Sequence, residues 1–317
     1  MAYKHVFNFR EKFVYPIKET VNWYPGHMST GIRKMQQKLK NVDCILEVHD
    51  ARIPFSGRNY NFHNLLTAIK PHILILNKMD LSELSYKSQI LEKFKTENVN
   101  NVIFTNCKNQ HDEGIKRIIP KVIDLVKNYD NSHQLKKSNY TIMIIGIPNV
   151  GKSSVINALR NRYLHKDKAT AVGSTPGITR SVLEKIKINE DPLIFLLDTP
   201  GIMIPAIKNI EVALRLALCD TIKEGLIDSD ILADYLLFIL NKHRNFSYLH
   251  YLGLEEPCDD IRIVLLKTAI SLKASFIFKT SDNQKILKPN LRAAADYFLK
   301  GFRKGEFGRM LLDEDML

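Results

Sequence analysis

Residues 141–154 read Thr-Ile-Met-Ile-Ile-Gly-Ile-Pro-Asn-Val-Gly-Lys-Ser-Ser, an apolar run that breaks at a glycine and resumes as a helical pattern through Leu159. Embedded in it is G-x-x-x-x-G-K-S. A strand, a glycine-bearing turn and a helix start, in that order, let backbone N–H groups converge on phosphate oxygens at the positive end of a helix. Gly146 and Gly151 permit the turn, Lys152 is placed to reach the β- and γ-phosphates, and the Ser153 hydroxyl is placed to ligate Mg²⁺. The expected phosphate-contacting set is Asn149, Val150, Gly151, Lys152, Ser153 and Ser154. Such a loop requires an α/β fold with a parallel sheet around it.

A second signal lies upstream. The apolar run 72–76 leads straight into Asn77-Lys78-Met79-Asp80. Guanine presents N1–H and N2–H₂ side by side, and one aspartate carboxylate accepts both, whereas adenine offers no such pair. Asp80 therefore predicts GTP. Asn77 and the Lys78 stem are expected to frame the base and tie this loop to the phosphate loop, with Met79 beside them. Residues 42–48 and 102–105 read as strands, and about 83–97 and 113–127 as helices. Asn106-Cys107-Lys108 at the end of 102–105 is where a loop lining the other side of the base would sit, an assignment that rests on position.

Downstream of the phosphate loop the segment 173–179, Gly-Ser-Thr-Pro-Gly-Ile-Thr, reads as a switch loop. Thr179, or else Thr175, is the candidate second Mg²⁺ ligand and γ-phosphate sensor. Residues 183–188 and 193–197 read as a hairpin ending in Asp198-Thr199-Pro200-Gly201. Asp198 would hold Mg²⁺ through water, and the Gly201 N–H would bind the γ-phosphate.

Composition narrows the setting. The chain has 317 residues, 45% of them hydrophobic and 25% charged, which suits a globular protein of two domains. Its net charge of +12 points to a polyanionic partner, and residues 262–309 hold eleven Lys and Arg against three Asp and Glu. The four cysteines are scattered without C-x-x-C, which argues against zinc and for reduced thiols. No apolar run approaches the roughly 18 residues of a membrane span. Residues 1–21 form a basic segment compatible with mitochondrial targeting, 22–205 the nucleotide domain, and 206–317 a domain of helices only, at about 208–224, 229–243, 260–274 and 290–304. Its basic face is the expected contact for nucleic acid or an anionic membrane face.

The order of the motifs is unusual. N-K-x-D precedes the phosphate loop, which precedes D-T-P-G, although six strands are present. The fold class expected is a circularly permuted Ras-like P-loop G domain, with a six-stranded, mostly parallel sheet, followed by an all-α domain. The combination W-Y-P-G-H-M (23–28), D-A-R-I-P (50–54), N-K-M-D (77–80), T-N-C-K (105–108), G-I-P-N-V-G-K-S-S (146–154), P-G-I-T (176–179), D-T-P-G (198–201) and A-A-A-D-Y-F-L-K-G-F-R-K-G (293–305) resembles the circularly permuted GTPases of the ribosome-biogenesis GTPase A family, the YlqF group.

That resemblance implies a slow GTPase stimulated by a ribosomal particle. It would assist late assembly of the mitochondrial large ribosomal subunit, as a monomer held peripherally on the matrix side of the inner membrane. A GTP-gated binding module in which hydrolysis is incidental is the alternative, and a membrane-surface protein held by its basic face is a third reading. Ile202 stands where Ras-type enzymes carry the glutamine that orients water. The resemblance offers two substitutes: Asn149 as a K⁺ ligand between the phosphates, and His27 as a catalytic histidine. A structural or rRNA-contacting role for His27 stays open. With Lys152 and Thr179, His27 completes the expected catalytic set.

Overall fold

The computed structural model describes residues 9–15, 39–58, 70–132, 137–164, 185–199, 209–222, 225–279 and 285–317. In the nucleotide unit the elements are β1 (Cys44–Asp50), β2 (His72–Asn77), α1 (Lys87–Thr96), β3 (Val102–Phe104), α2 (Glu113–Ser132), β4 (Asn139–Ile145), α3 (Lys152–Leu164), β5 (Lys185–Asn189) and β6 (Leu193–Asp198). The strands lie in the order β3-β2-β1-β4-β6-β5. All neighbours are parallel except β5 and β6. Every residue of β1 is buried, as a strand flanked on both sides and covered on both faces must be. Asp50 pairs with Asn77 and Ile144 with Asp198, so the motif-bearing carboxyl ends share one edge of the sheet, where ligands of such folds bind.

The strand expected at 42–48 is displaced to Cys44–Asp50, which puts the start of D-A-R-I-P on the strand itself. The helix expected at 83–97 is one short helical turn, Leu84–Tyr86, followed by α1. α2 runs to Ser132 through Pro120, past the expected end at 127. Pro120 has no N–H for the Lys116 carbonyl four residues back. The Tyr163 hydroxyl, on α3, donates to that carbonyl at 2.9 Å and satisfies it.

Two compact units partition the chain. The nucleotide unit comprises Asn22–Lys208, Cys219–Lys223 and Met310–Leu317. The second comprises Met1–Val21, Asn209–Leu218 and Glu224–Arg309. Its helices are α4 (Ile210–Leu218), α5 (Ser229–Lys242), α6 (Tyr248–Leu252), α7 (Ile261–Ser271) and α8 (Leu291–Lys304). Buried Asn241 ties it internally, donating to the Cys258 carbonyl at 3.0 Å and accepting from the Tyr248 hydroxyl at 2.8 Å. Arg10 forks onto Asp234 at 2.7 and 3.0 Å, and Phe13 meets Tyr235 edge-on.

The expectation of helices only beyond residue 205 is corrected by an antiparallel hairpin, β7 (Ser275–Lys279) with β8 (Lys285–Pro289). Phe276, Ile277 and Phe278 form a short β-favouring run between lysines, too brief to show alternation in the sequence. Ile277 and Leu287 are more than 60% exposed, and Phe276, Phe278 and Ile286 are also exposed, as are Ile263, Leu266 and Ile270 on α7.

Candidate functional site

The phosphate loop bridges β4 and α3. Gly146 has φ of 146°, and a Cβ there would lie 2.3 Å from the Val48 carbonyl oxygen. Gly151 has φ of 100°, and a Cβ there would lie 2.2 Å from the Asn77 amide nitrogen. No other residue fits either place. Lys152 is buried and donates to the Gly146 and Ile147 carbonyls at 3.1 and 2.9 Å. Burial lowers its ammonium to about 8 despite the nearby Asp198 carboxylate. An ammonium desolvated in this way gains strongly from anionic oxygens delivered to it. Ser153 and Ser154 follow in the first turn of α3.

Asp198 ends β6 beside this loop, and Thr199 locks the chain there by donating from its hydroxyl to the Ile144 carbonyl at 2.6 Å. Burial raises the Asp198 carboxyl, which Lys152 and the Thr199 N–H partly offset. Its Oδ1 is buried and has no hydrogen-bond partner among the described residues. A carboxylate oxygen left in that state suits a hydrated cation.

Asn77 joins the two motifs. Its amide donates to the Val150 carbonyl at 2.9 Å and its Oδ1 accepts from the Thr105 hydroxyl at 3.1 Å. The loop expected to read the base and the loop expected to hold phosphate are therefore adjoining walls. Met79 packs on the apolar cluster of Ala51, Leu74, Leu76 and Phe104, and its N–H donates to the Thr105 carbonyl. Asp80 receives Lys108 on Oδ2 at 3.1 Å, while its Oδ1 is buried and has no hydrogen-bond partner among the described residues. One occupied and one waiting oxygen suit a ligand edge that brings its own donors.

The Asn106 side chain accepts from the Lys108 N–H at 3.0 Å, shaping the turn that delivers Lys108 to Asp80. Burial, then Asp112 and Asp80, push the Cys107 thiol up to about 12, so it lines the turn and is no nucleophile.

Two contributors, Asp50 and Asp220, escaped the sequence reading as site residues. Asp50, fully buried, holds Arg52 through two side-chain bonds at 2.9 and 2.7 Å and Lys78 at 3.0 Å. Lys78 sits in left-handed backbone, φ 59°, so this ion pair fixes an otherwise strained corner of the base loop. Asp220 receives the Asn149 amide at 2.8 Å. Asp50 and Arg52 were visible as a charged pair closing a strand in D-A-R-I-P. Asp220 left no local signal. His27, Thr179 and Gly201 lie outside the described residues.

The architecture is that of the GNP-bound YlqF crystal structure from T. maritima, matched with a TM-score of 0.54 at 19% identity over 89% of this chain and 97% of that one. Fold and site together define a circularly permuted P-loop GTPase. Residues 141–267 match the family described as 50S ribosome-binding GTPase. The chain is 49% identical to mitochondrial ribosome-associated GTPase 1 of Xenopus tropicalis, covering 96% of this chain and 98% of the relative. It is 46% identical to mitochondrial GTPase 1 of Aedes aegypti, covering 97% and 98%. It belongs to the mitochondrial ribosome-associated GTPase 1 family.

Proposed function

We propose that this GTPase assists assembly of the large subunit of the mitochondrial ribosome and so supports mitochondrial translation. It works as a monomer held peripherally on the matrix side of the inner membrane. The observation that carries the GTPase reading is the Asn77 bridge, which joins a carboxylate with a waiting acceptor oxygen to a buried lysine at a helix start. The mitochondrial ribosomal setting is supported by the names of the relatives. The run of positive charge from residue 262 to 309 supports contact with rRNA. No described helix is long and apolar enough to cross a membrane.

In this reading Asp80 accepts the N1–H and N2–H₂ donors of guanine, Asn77 and Lys78 hold the base loop in place, and Asn106 and Cys107 line the far side. Lys152 releases the Gly146 and Ile147 carbonyls and neutralises phosphate oxygens, and the N–H groups of 149–154 surround them. Ser153, Asp198 and Thr179 would hold Mg²⁺, and the buried Asp198 oxygen that has no partner among the described residues fits that role. Bound there, the ion supplies neutralisation of the charge that builds on the phosphates. Asn149 would offer its carbonyl oxygen to K⁺. Gly201 would sense the γ-phosphate, and His27 would orient the attacking water.

The test is GTP turnover with and without purified mitochondrial large subunits, in K⁺ and in Na⁺. Stimulation by the subunit is expected, greater in K⁺. Turnover indifferent to the subunit would overturn the ribosomal assignment. Assembly proceeding equally well with a non-hydrolysable GTP analogue would make hydrolysis incidental.

A further inference from the structure

The segment Met310–Leu317 belongs to the nucleotide unit, and its bonds converge on the loops that shape the base side of the site. The Met310 N–H donates to the Leu81 carbonyl at 3.0 Å, one residue beyond Asp80. The Leu312 N–H donates to the Arg52 carbonyl at 2.8 Å. Leu311 is buried in the cluster formed by Ala51, Phe55, Leu74, Leu76, Ile90 and Phe94. Lys93 donates to the Met316 carbonyl.

Asp313 is the anchor. It is fully buried. Its Oδ2 accepts from the Phe55 and Ser56 N–H groups, each at 2.8 Å, and its Oδ1 accepts from the Ser56 hydroxyl at 2.5 Å. This carboxylate is the acceptor of two backbone N–H groups of a buried turn, and stranding such donors is expensive. The turn it holds, 51–56, starts at the residue after Asp50, whose carboxylate grips Lys78. Contacts therefore run from Asp313 by way of 51–56 and Asp50 to Lys78, and from Met310 by way of Leu81 to Asp80. Both flanks of the base loop are fastened by the same eight residues.

We infer that Met310–Leu317 is a positioning element for nucleotide recognition, with Asp313 as its anchor, and that it sets how well the site discriminates guanine. This rests on the reading of Asp80 as the guanine acceptor. Asp313 touches no nucleotide; it acts through the loops that carry Lys78 and Asp80. Weakening it should therefore lower selectivity for the base rather than merely weaken the fold.

The experiment measures Kd for GTP and for inosine triphosphate, which lacks the N2 amine, on the full chain. The variants are Asp313→Ala, Asp313→Asn, Ser56→Ala, Asp80→Ala and the Asp313→Ala/Asp80→Ala pair. Asp313→Ala is expected to lower the GTP-over-inosine-triphosphate preference about tenfold, the scale set by unpairing buried hydrogen-bonding groups. Asp313→Asn should restore most of it, because one amide oxygen can accept both N–H groups while the amide nitrogen donates to Ser56. Ser56→Ala, which removes the hydroxyl's bonds to Asp313 and to the Met316 sulfur but leaves both backbone N–H bonds, should give a smaller loss in the same direction, and it serves if Asp313→Ala does not fold. In the Asp80→Ala background the Asp313→Ala change should remove no further preference.

An unchanged preference in Asp313→Ala, or in Ser56→Ala should that be the variant that folds, overturns the inference if Asp80→Ala has abolished it. A preference untouched by Asp80→Ala itself overturns the reading beneath it.

Discussion

Asn149 and Asp220 both hold left-handed backbone, with φ of 58° and 61°, and the Asn149 amide nitrogen donates to Asp220 twice, to its carbonyl at 2.8 Å and to its carboxylate at 3.1 Å. An amide is oriented by what its nitrogen donates to, so Asp220 determines where the Asn149 carbonyl oxygen faces. Glycine suits left-handed backbone. Asp220→Gly therefore keeps the fold and the carbonyl acceptor while removing the carboxylate. The K⁺ concentration for half-maximal GTP turnover is expected to rise about tenfold, the usual effect of losing a partner behind a metal ligand. Titrating KCl against NaCl at constant ionic strength measures it, and an unaltered K⁺ response would count against the positioning role.

Asp80→Asn places an amide donor opposite the guanine N2–H₂ and a single acceptor where two were available. Affinity for GTP is expected to fall by about two orders of magnitude or more, while xanthosine triphosphate, which carries an oxygen at that position, becomes the better ligand. Competition binding with both nucleotides checks this. Retained guanine preference would remove Asp80 from base reading.

Asp50 makes a prediction about acid. Burial alone would raise its carboxyl, but Arg52 and Lys78 outweigh burial and hold it well below the usual carboxylate range. A depressed carboxyl stabilises the fold fully above its unfolded value of about 3.9, and that contribution is lost as pH falls through the lower folded value. Asp50→Asn leaves the buried Arg52 and the partly exposed Lys78 without their counter-charge and is expected to destabilise by roughly 3 kcal/mol at neutral pH. The difference from the parent should shrink below about pH 4. Urea unfolding of both proteins at pH 7 and pH 3 reads it directly, and a gap independent of pH would show that the carboxylate charge is not what matters.

His27→Ala is expected to keep GTP affinity and lose the turnover stimulated by the large subunit. Stopped assays with and without subunits measure the two separately. Stimulated turnover at the parental rate would leave His27 a structural or RNA-contacting residue.

The parts of the site legible in the sequence were those that are continuous in it. Gly146 to Ser153 and Asn77 to Asp80 announce their chemistry within eight residues or fewer, and the bond between Asn77 and the phosphate loop followed from what an asparagine at a strand end can reach. Legibility failed where the deciding partner is remote. Asp313 serves donors 257 and 258 positions away, and Asp220 meets Asn149 across 71. The length of α2 depended on the Tyr163 hydroxyl replacing the N–H that Pro120 lacks. The β7–β8 hairpin was missed because five-residue strands with lysines at their ends carry too little periodicity to separate from a connector.

The nucleotide unit collects three separate lengths of polypeptide, Asn22–Lys208, Cys219–Lys223 and Met310–Leu317. Scissors placed near residue 208 would not divide the gene into two self-sufficient products. The upstream fragment would lack Leu311 from its apolar interior and the acceptor for the Phe55 and Ser56 amides, and should collect as insoluble material. Co-expression of the downstream fragment, which carries the missing pieces, should return it to solution.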